Sequence, residues 1–149
     1  MPVGVATAEA VEASFASQTE LREVLTALLE KIESDPELAG RITSARVAFR
    51  YVFTDFELTL DVDSGEEEGV NWSFSGKAER EPSVTLEMDS AVANRYLQGR
   101  ESLAIGIARK RIRCICDASS VLKLLSMSRF TSGAYREVLE RHYAHLLLD

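Results

Sequence analysis

The sequence has few of the residues that build metal centres and covalent cross-links. Its 149 residues include two cysteines and two histidines. Cys114 and Cys116 are two residues apart in a stretch with strand periodicity, so their side chains project to the same side. This is a poor arrangement for a disulfide between them. Two cysteines are also too few ligands for a closed zinc site. We expect two small apolar side chains in a reducing cytoplasm rather than a redox-active pair.

The two histidines do not complete a metal site either. His142 and His145 are three residues apart on the predicted last helix, with Glu140 nearby, so they are close enough to share a metal ion. No third ligand converges on them, and we interpret them as part of a solvated helix face. We expect neither a metal nor a cofactor.

Cations are scarcer than anions. The chain has 17 Lys and Arg against 24 Asp and Glu, a formal net charge of -7. Because neutralising nucleic-acid phosphates requires a cationic surface, we expect no nucleic-acid partner. The charge is uneven, since residues 55–89 are mostly acidic and residues 95–113 are mostly basic.

The basic part contains an alternating stripe, Arg109, Arg111 and Arg113. We expect this stripe to make cross-strand pairs with outward carboxylates. Candidate partners are Asp61, Asp63 and Glu87. Contact with an anionic membrane surface or an anionic partner is the alternative.

Long apolar runs and catalytic motifs are absent. Residues 1–16 have neither a basic n-region nor a long apolar run, so we expect a frayed arm or short helix rather than a signal peptide, and no integral membrane association. The sequence has no G-x-S-x-G, no Gly-rich phosphate loop and no H-E-x-x-H. We therefore expect that the protein is not an enzyme, because no nucleophile and base stand at a recognisable spacing.

Apolar periodicity is what the sequence does have. Ser17-x-x-Glu20 is a capping-box spacing ahead of a helix, and Asp35-Pro36 begins a further short turn that Gly40 ends. The apolar residues of the first helix share one stripe. They are Leu21, Val24, Leu25, Leu28, Leu29 and Ile32.

From Ala45 the apolar period changes to two, which predicts strands that each bury one side. The inward residues are Val47, Phe49, Tyr51 and Phe53, then Phe56, Leu58, Leu60 and Val62, then Val70, Trp72 and Phe74, then Val84, Leu86 and Met88, and last Ile112, Cys114 and Cys116. Residues 64–69 are expected to form a solvated hairpin loop. The predicted fold class is α+β, a two-layer domain with a five-stranded, mostly antiparallel sheet covered by helices on one face.

The connections between the last strands are also predicted. Asp89 or Ser90 caps a helix that ends near Gly99. Residues 103–108 are apolar and are expected to lie as a loop on the interior. Residues 117–120 cap a short Leu-rich helix, and residues 128–133 are expected to be a loop ahead of a last helix.

The characteristic positions of this succession are Val84-Thr85-Leu86, Asp89, Gly99, Arg111-Ile112-Arg113-Cys114 and Val121 to Leu125, with Asp35 to Ile42 upstream. Together they resemble the sterol carrier protein type-two domain. Two features depart from the family: Cys116 stands where a small glycine is usual, and the final Leu146-Leu147-Leu148-Asp149 is not a peroxisomal signal. The resemblance implies non-enzymatic binding, and transfer, of a fatty-acyl, acyl-CoA-like or sterol-like lipid.

The implied organisation is an arm over residues 1–16, a lipid-binding domain over residues 17–127, and a C-terminal helix over residues 128–149 that packs on the same domain. The implied site is an apolar tunnel between sheet and helices, with few polar anchors. The expected lipid-binding residues are Phe49, Tyr51, Phe53, Phe56, Leu58, Trp72, Phe74, Leu86, Met88, Leu97, Leu103, Ile105, Ile107, Ile112, Leu122 and Leu125. Periodicity alone favours the alternative, a solid core in a ligand-free interaction or homodimerisation module.

The last predicted helix has an apolar stripe that must be covered. Its members are Tyr135, Val138, Leu139, Tyr143, Leu146 and Leu147. Three covers are possible: the open end of the cavity, the first helix, or a symmetry mate in a homodimer. We favour the first, in which the helix is a lid.

Overall fold

The computed structural model describes residues 15–46, 48–64, 70–74 and 81–148. The helices are α1 (Gln18–Ser34), α2 (Pro36–Ala45), α3 (Ser90–Leu97), α4 (Leu103–Ala108) and α5 (Ala118–His142), followed by a 3-10 turn (Ala144–Leu146). The strands are β1 (Ala48–Phe53), β2 (Leu58–Ser64), β3 (Val70–Ser73), β4 (Val84–Met88) and β5 (Arg113–Cys116). Most of the predicted arm, residues 1–14, and residues 65–69 of the predicted hairpin loop lie outside the described residues.

The strands form one sheet in the order β3-β2-β1-β4-β5. Three neighbouring pairs are antiparallel, and the central pair, β1 with β4, is parallel. The predicted five-stranded, mostly antiparallel α+β arrangement is confirmed.

Period-two alternation decides which side of the sheet meets the helices. Phe49 and Phe53 of β1 are buried beside their register partners Val62 and Leu58 on β2. The predicted α1 stripe is buried along its whole length. Burying one large apolar side chain contributes about 1.5–3 kcal/mol, so these two periodic faces hold the layers together.

Side-chain caps begin the helices where the sequence predicts. Ser17 Oγ accepts a hydrogen bond from the Glu20 N–H at 3.1 Å, which is the first bond of a capping box. Glu20 Oε1 accepts its bond from the Ala16 N–H at 2.9 Å, one residue before the N-cap. Aspartates cap three later helices, namely Asp35, Asp89 and Asp117. Each cap satisfies backbone N–H groups that a first helical turn leaves unpaired.

The arginine stripe is divided between two kinds of partner. Arg113 on β5 pairs with Glu87 on β4, its register neighbour, at 3.5 Å, which confirms the predicted cross-strand pair. Arg111 instead binds Glu101 through a 2.6 Å contact, because β5 begins only at Arg113.

The segment of residues 103–108 is a helix rather than the predicted loop. Ser102 Oγ accepts a hydrogen bond from the Ile105 N–H at 3.0 Å and so caps α4. Only Leu103 and Gly106 of this helix are buried. The expectation that the whole segment lies on the interior is therefore wrong.

Residues 128–133 also continue a helix, so the predicted loop there is wrong. Met127 and Ala134, on either side of the segment, are buried. The Ser128 hydroxyl donates to the Leu124 carbonyl oxygen at 3.0 Å, one turn earlier in the same helix. Its hydrogen bond is therefore made within the helix rather than to a non-helical turn. Burial of one helix face thus outweighs the low helix propensity of a serine, threonine and glycine-containing stretch.

Cys114 and Cys116 are joined in a disulfide, so the expectation of two free thiols is wrong. They do project to one side, where their register partners are Leu86 and Val84, and both pack against the core. Their Cα atoms are 6.0 Å apart, inside the range that a disulfide spans. The same-side geometry brings the two sulfur atoms together rather than keeping them apart.

The C-terminal stripe packs inside the fold. Tyr135, Val138 and Leu139 are buried, and α5 packs along α1, where the Lys31 ammonium meets the Glu137 carboxylate at 2.7 Å. Of the three predicted covers for this stripe, the structure shows the first helix. The stripe does not form the favoured lid over the cavity.

A buried amide network holds the 3-10 turn. Asn94 Nδ2 and Gln98 Nε2 both donate to the Leu146 carbonyl oxygen at 2.9 Å, and the Tyr135 hydroxyl donates to Asn94 Oδ1 at 2.7 Å. Because an unpaired buried polar group costs about 1–3 kcal/mol, these bonds fix the end of the chain against α3 and α5.

Candidate functional site

A partly open apolar cavity lies between the sheet and the helices. Its volume is about 70 Å³. Its lining residues are Leu25, Leu28, Leu29, Ile32, Ile42, Phe49, Tyr51, Phe53, Leu60, Val62, Val70, Met88, Ala93, Tyr96, Leu97, Met127 and Thr131. None of these residues carries a charge.

Two periodic elements, α1 and β1, supply seven of the seventeen lining residues. The α1 residues Leu25, Leu28, Leu29 and Ile32 follow the spacing of one helical stripe. The β1 residues Phe49, Tyr51 and Phe53 follow the alternation of one sheet face. The cavity is therefore the gap that remains where a helical stripe and a sheet face meet without filling the space between them.

A second cavity of about 30 Å³ adjoins the first. The two share Tyr51, Tyr96, Leu97, Met127 and Thr131, and the second adds Leu124 and Ser128 of α5. The two cavities therefore meet at the tyrosine pair and run from α1 towards the first half of α5.

Hydroxyl groups are concentrated where the two cavities meet. The Tyr96 hydroxyl lies 2.7 Å from Ser128 Oγ. Ser128 Oγ also lies 3.0 Å from the Leu124 carbonyl oxygen. Among the described residues, the Tyr51 hydroxyl has no hydrogen-bond partner, and Tyr51 lines both cavities.

Both tyrosines are neutral at physiological pH. Burial raises the pKa of Tyr51 well above its ordinary value, and the neighbouring Tyr96 adds to the shift. Burial also raises the pKa of Tyr96, against an opposing effect of the hydrogen bond to Ser128.

The structure places the sequence-predicted site residues in three groups. Five line the larger cavity, namely Phe49, Tyr51, Phe53, Met88 and Leu97. Seven pack in or against the core without lining the larger cavity, namely Leu58, Leu86, Leu103, Ile112, Phe56, Trp72 and Phe74. Four are exposed, namely Ile105 (51%), Ile107 (38%), Leu122 (65%) and Leu125 (39%).

Sequence reasoning missed most of the wall. The missed lining residues are Leu25, Leu28, Leu29, Ile32, Ile42, Leu60, Val62, Val70, Ala93, Tyr96, Met127 and Thr131. The stripe of α1 was visible in the sequence, but helical spacing does not say whether a stripe meets a filled core or a gap. Tyr96 lies on the predicted helix that follows Asp89, and sequence spacing does not indicate that it lines a cavity.

The histidines serve other contacts. His145 Nε2 lies 3.0 Å from Glu20 Oε2, and the His142 ring packs edge-on against Tyr143. Within the described ranges, no three His, Cys, Asp or Glu side chains are grouped as metal ligands.

No helix in the described part of the chain is both long and apolar enough to cross a membrane.

Neither a protein-family model nor a curated protein sequence matches the chain. Solved structures do match it. The sterol carrier protein domain 2 of Helicoverpa armigera has a TM-score of 0.61 and 17% identity, over 74% of this chain and 87% of its own. The UbiJ-SCP2 ubiquinone synthesis protein has a TM-score of 0.54 and 17% identity, over 71% and 90%.

The apo form of sterol carrier protein 2 from Yarrowia lipolytica also matches, with a TM-score of 0.54 and 11% identity, over 85% of this chain and 96% of its own. At these identities the likeness establishes the fold. The chain has the sterol carrier protein 2 fold, as the resemblance implied.

Proposed function

We propose that this protein binds a lipid in the two adjoining cavities between sheet and helices, carries it, and does not convert it chemically. The observation that supports this function best is the uncharged gap between the sheet and the helices, because lipid sites are mostly apolar with few polar anchors. The fold shared with sterol carrier proteins supports the same function. The described residues of the lining offer tyrosine, threonine and serine hydroxyls but no histidine, lysine or carboxylate that would activate them.

The cavities must widen to hold a long chain. They measure about 70 and 30 Å³, whereas an engineered cavity that binds benzene measures about 150 Å³. A lipid chain therefore fits only after the walls move apart. The first half of α5 contributes Leu124, Met127 and Ser128 to the walls. It buries three residues, whereas the second half of the same helix buries four.

Binding of diphenylhexatriene, a hydrocarbon dye without polar atoms, tests the proposal. Ala93 lines the cavity and is buried, so Ala93→Phe places a ring in the gap. We expect the wild-type protein to bind the dye saturably and Ala93→Phe to lose most of that binding. Ala104→Phe, at an exposed position on α4, is the matched control and should bind like wild type.

Circular dichroism and thermal melting establish that each variant is folded, and Ala93→Leu provides a milder change if Ala93→Phe is not. Absence of dye binding by the wild-type protein, together with a doubled mass in sedimentation, would reject the proposal in favour of a ligand-free dimerisation module. Equal binding by the Ala93 and Ala104 variants would place the dye elsewhere on the protein.

A further inference from the structure

We infer that the lipid is uncharged and presents an acceptor oxygen to the Tyr51 hydroxyl where the two cavities meet. This inference rests on the proposed function and narrows it to a ligand class. The class comprises long-chain esters, ketones, quinones and alcohols, and it excludes ionised fatty acids.

The part of the cavity walls that the structure describes has no cationic side chain. The described residues that line the two cavities include no lysine, arginine or histidine. A carboxylate moved from water into such a site would lose its hydration without gaining an ion pair, which is among the most costly burials in protein chemistry. An uncharged lipid avoids this cost.

The two tyrosine hydroxyls at the junction differ in what they already bind. The Tyr96 hydroxyl is paired with Ser128 Oγ, which also lies 3.0 Å from the Leu124 carbonyl oxygen. Of the two tyrosines, Tyr51 is the one whose hydroxyl has no hydrogen-bond partner among the described residues. A ligand that brings an acceptor oxygen therefore gives this hydroxyl a partner inside the protein.

Tyr51 is held in place by its aromatic neighbours. Its ring lies between Phe49 and Phe53 on the same face of β1, with centroid distances of 6.3 and 6.4 Å. These neighbours restrict the directions in which the ring can move, so Tyr51 keeps its position in the wall that the two cavities share. A donor that is already oriented loses little freedom when the ligand binds.

Displacement of diphenylhexatriene by three matched lipids tests the inference. The lipids are methyl oleate, sodium oleate and 1-octadecene, each delivered from cyclodextrin. At pH 8 we expect methyl oleate to displace the dye at a concentration at least tenfold lower than oleate does. As the pH falls towards 5 the advantage should shrink, because oleate enters the cavity in its protonated form, while methyl oleate and octadecene should be unaffected by pH.

Tyr51→Phe separates the hydrogen bond from simple apolar binding. The substitution should weaken the binding of methyl oleate about three- to tenfold, which is the range for one neutral hydrogen bond. The binding of octadecene should not change. Tyr143→Phe is the matched control, because Tyr143 is a half-buried tyrosine outside both cavities. It should alter the binding of neither lipid.

The outcomes distinguish the inference from the function on which it rests. The inference would be overturned if oleate bound as tightly as methyl oleate at pH 8, or if the Tyr51→Phe protein bound methyl oleate as wild type does. In either case, binding of the dye and of octadecene would still support the proposed function. Failure of the dye and of octadecene to bind would overturn both.

Discussion

At the scale of single residues, Gly106 shows how little space separates α4 from the segment that follows it. Its carbonyl oxygen accepts hydrogen bonds from the Arg111 and Ile112 N–H groups at 2.8 and 3.1 Å. A Cβ atom at this position would lie 2.5 Å from Ile112 Cδ1 and 2.9 Å from Ile112 Cγ1. Ile112 is itself buried, so it has little room to move away.

We therefore expect Gly106→Ala to lower the free energy of unfolding by about 1–3 kcal/mol, the usual cost of overpacking a filled site. Gly133→Ala is the control, because Gly133 lies inside α5 with no heavy atom within 4 Å of the added Cβ. That variant should be neutral or more stable by about 0.5–1 kcal/mol, since alanine favours the helix. Urea denaturation measures both changes, and equal effects of the two substitutions would refute the contact with Ile112.

At the scale of elements, α5 combines two halves with different surroundings. Its second half is tied down by Tyr135, by the Lys31–Glu137 ion pair and by Arg136, whose Nη1 donates to Gln98 Oε1 and to the Leu148 carbonyl oxygen at 3.1 Å. Its first half exposes Leu122 and Leu125 and buries mainly the residues near the cavities.

This difference predicts faster amide exchange over residues 122–130 than over residues 134–142, because local opening follows the number of buried contacts. Methyl oleate should slow exchange in the first half by filling the space beneath Leu124 and Met127. Hydrogen–deuterium exchange followed by mass spectrometry measures both effects. Equal exchange in the two halves, with no response to the lipid, would show that α5 is not the moving wall.

At the scale of the whole molecule, local patterns predicted the layers but not the space between them. Alternation at β1 identified Phe49, Tyr51 and Phe53 as inward, and the same alternation identified Leu58 and Leu86. Only the first three line the larger cavity, while the other two fill the core. Whether an inward residue meets a gap depends on side-chain volumes across two layers, which sequence spacing does not contain.

The other differences also have tertiary causes. The helix through residues 128–133 persists because Met127 and Ala134 are buried on either side of it, and no local signal reports that burial. The Cys114–Cys116 disulfide depends on how a short edge strand lies over the core. The difference between the Tyr51 and Tyr96 hydroxyls also follows from tertiary contacts. Tyr96 is paired with Ser128, which lies next to the Leu124 carbonyl oxygen, whereas Tyr51 has no partner among the described residues.

The most direct test of the central claim is a set of intermolecular nuclear Overhauser effects between bound methyl oleate and a deuterated protein labelled at Ile, Leu, Val and Met methyl groups. The account predicts contacts from the lipid chain to Leu28, Ile42 and Met127, which line the cavity. It predicts none to Ile115 or Leu122, which are exposed. Contacts confined to the exposed methyl groups, or no contacts despite measured binding, would contradict a lipid site between the sheet and the helices.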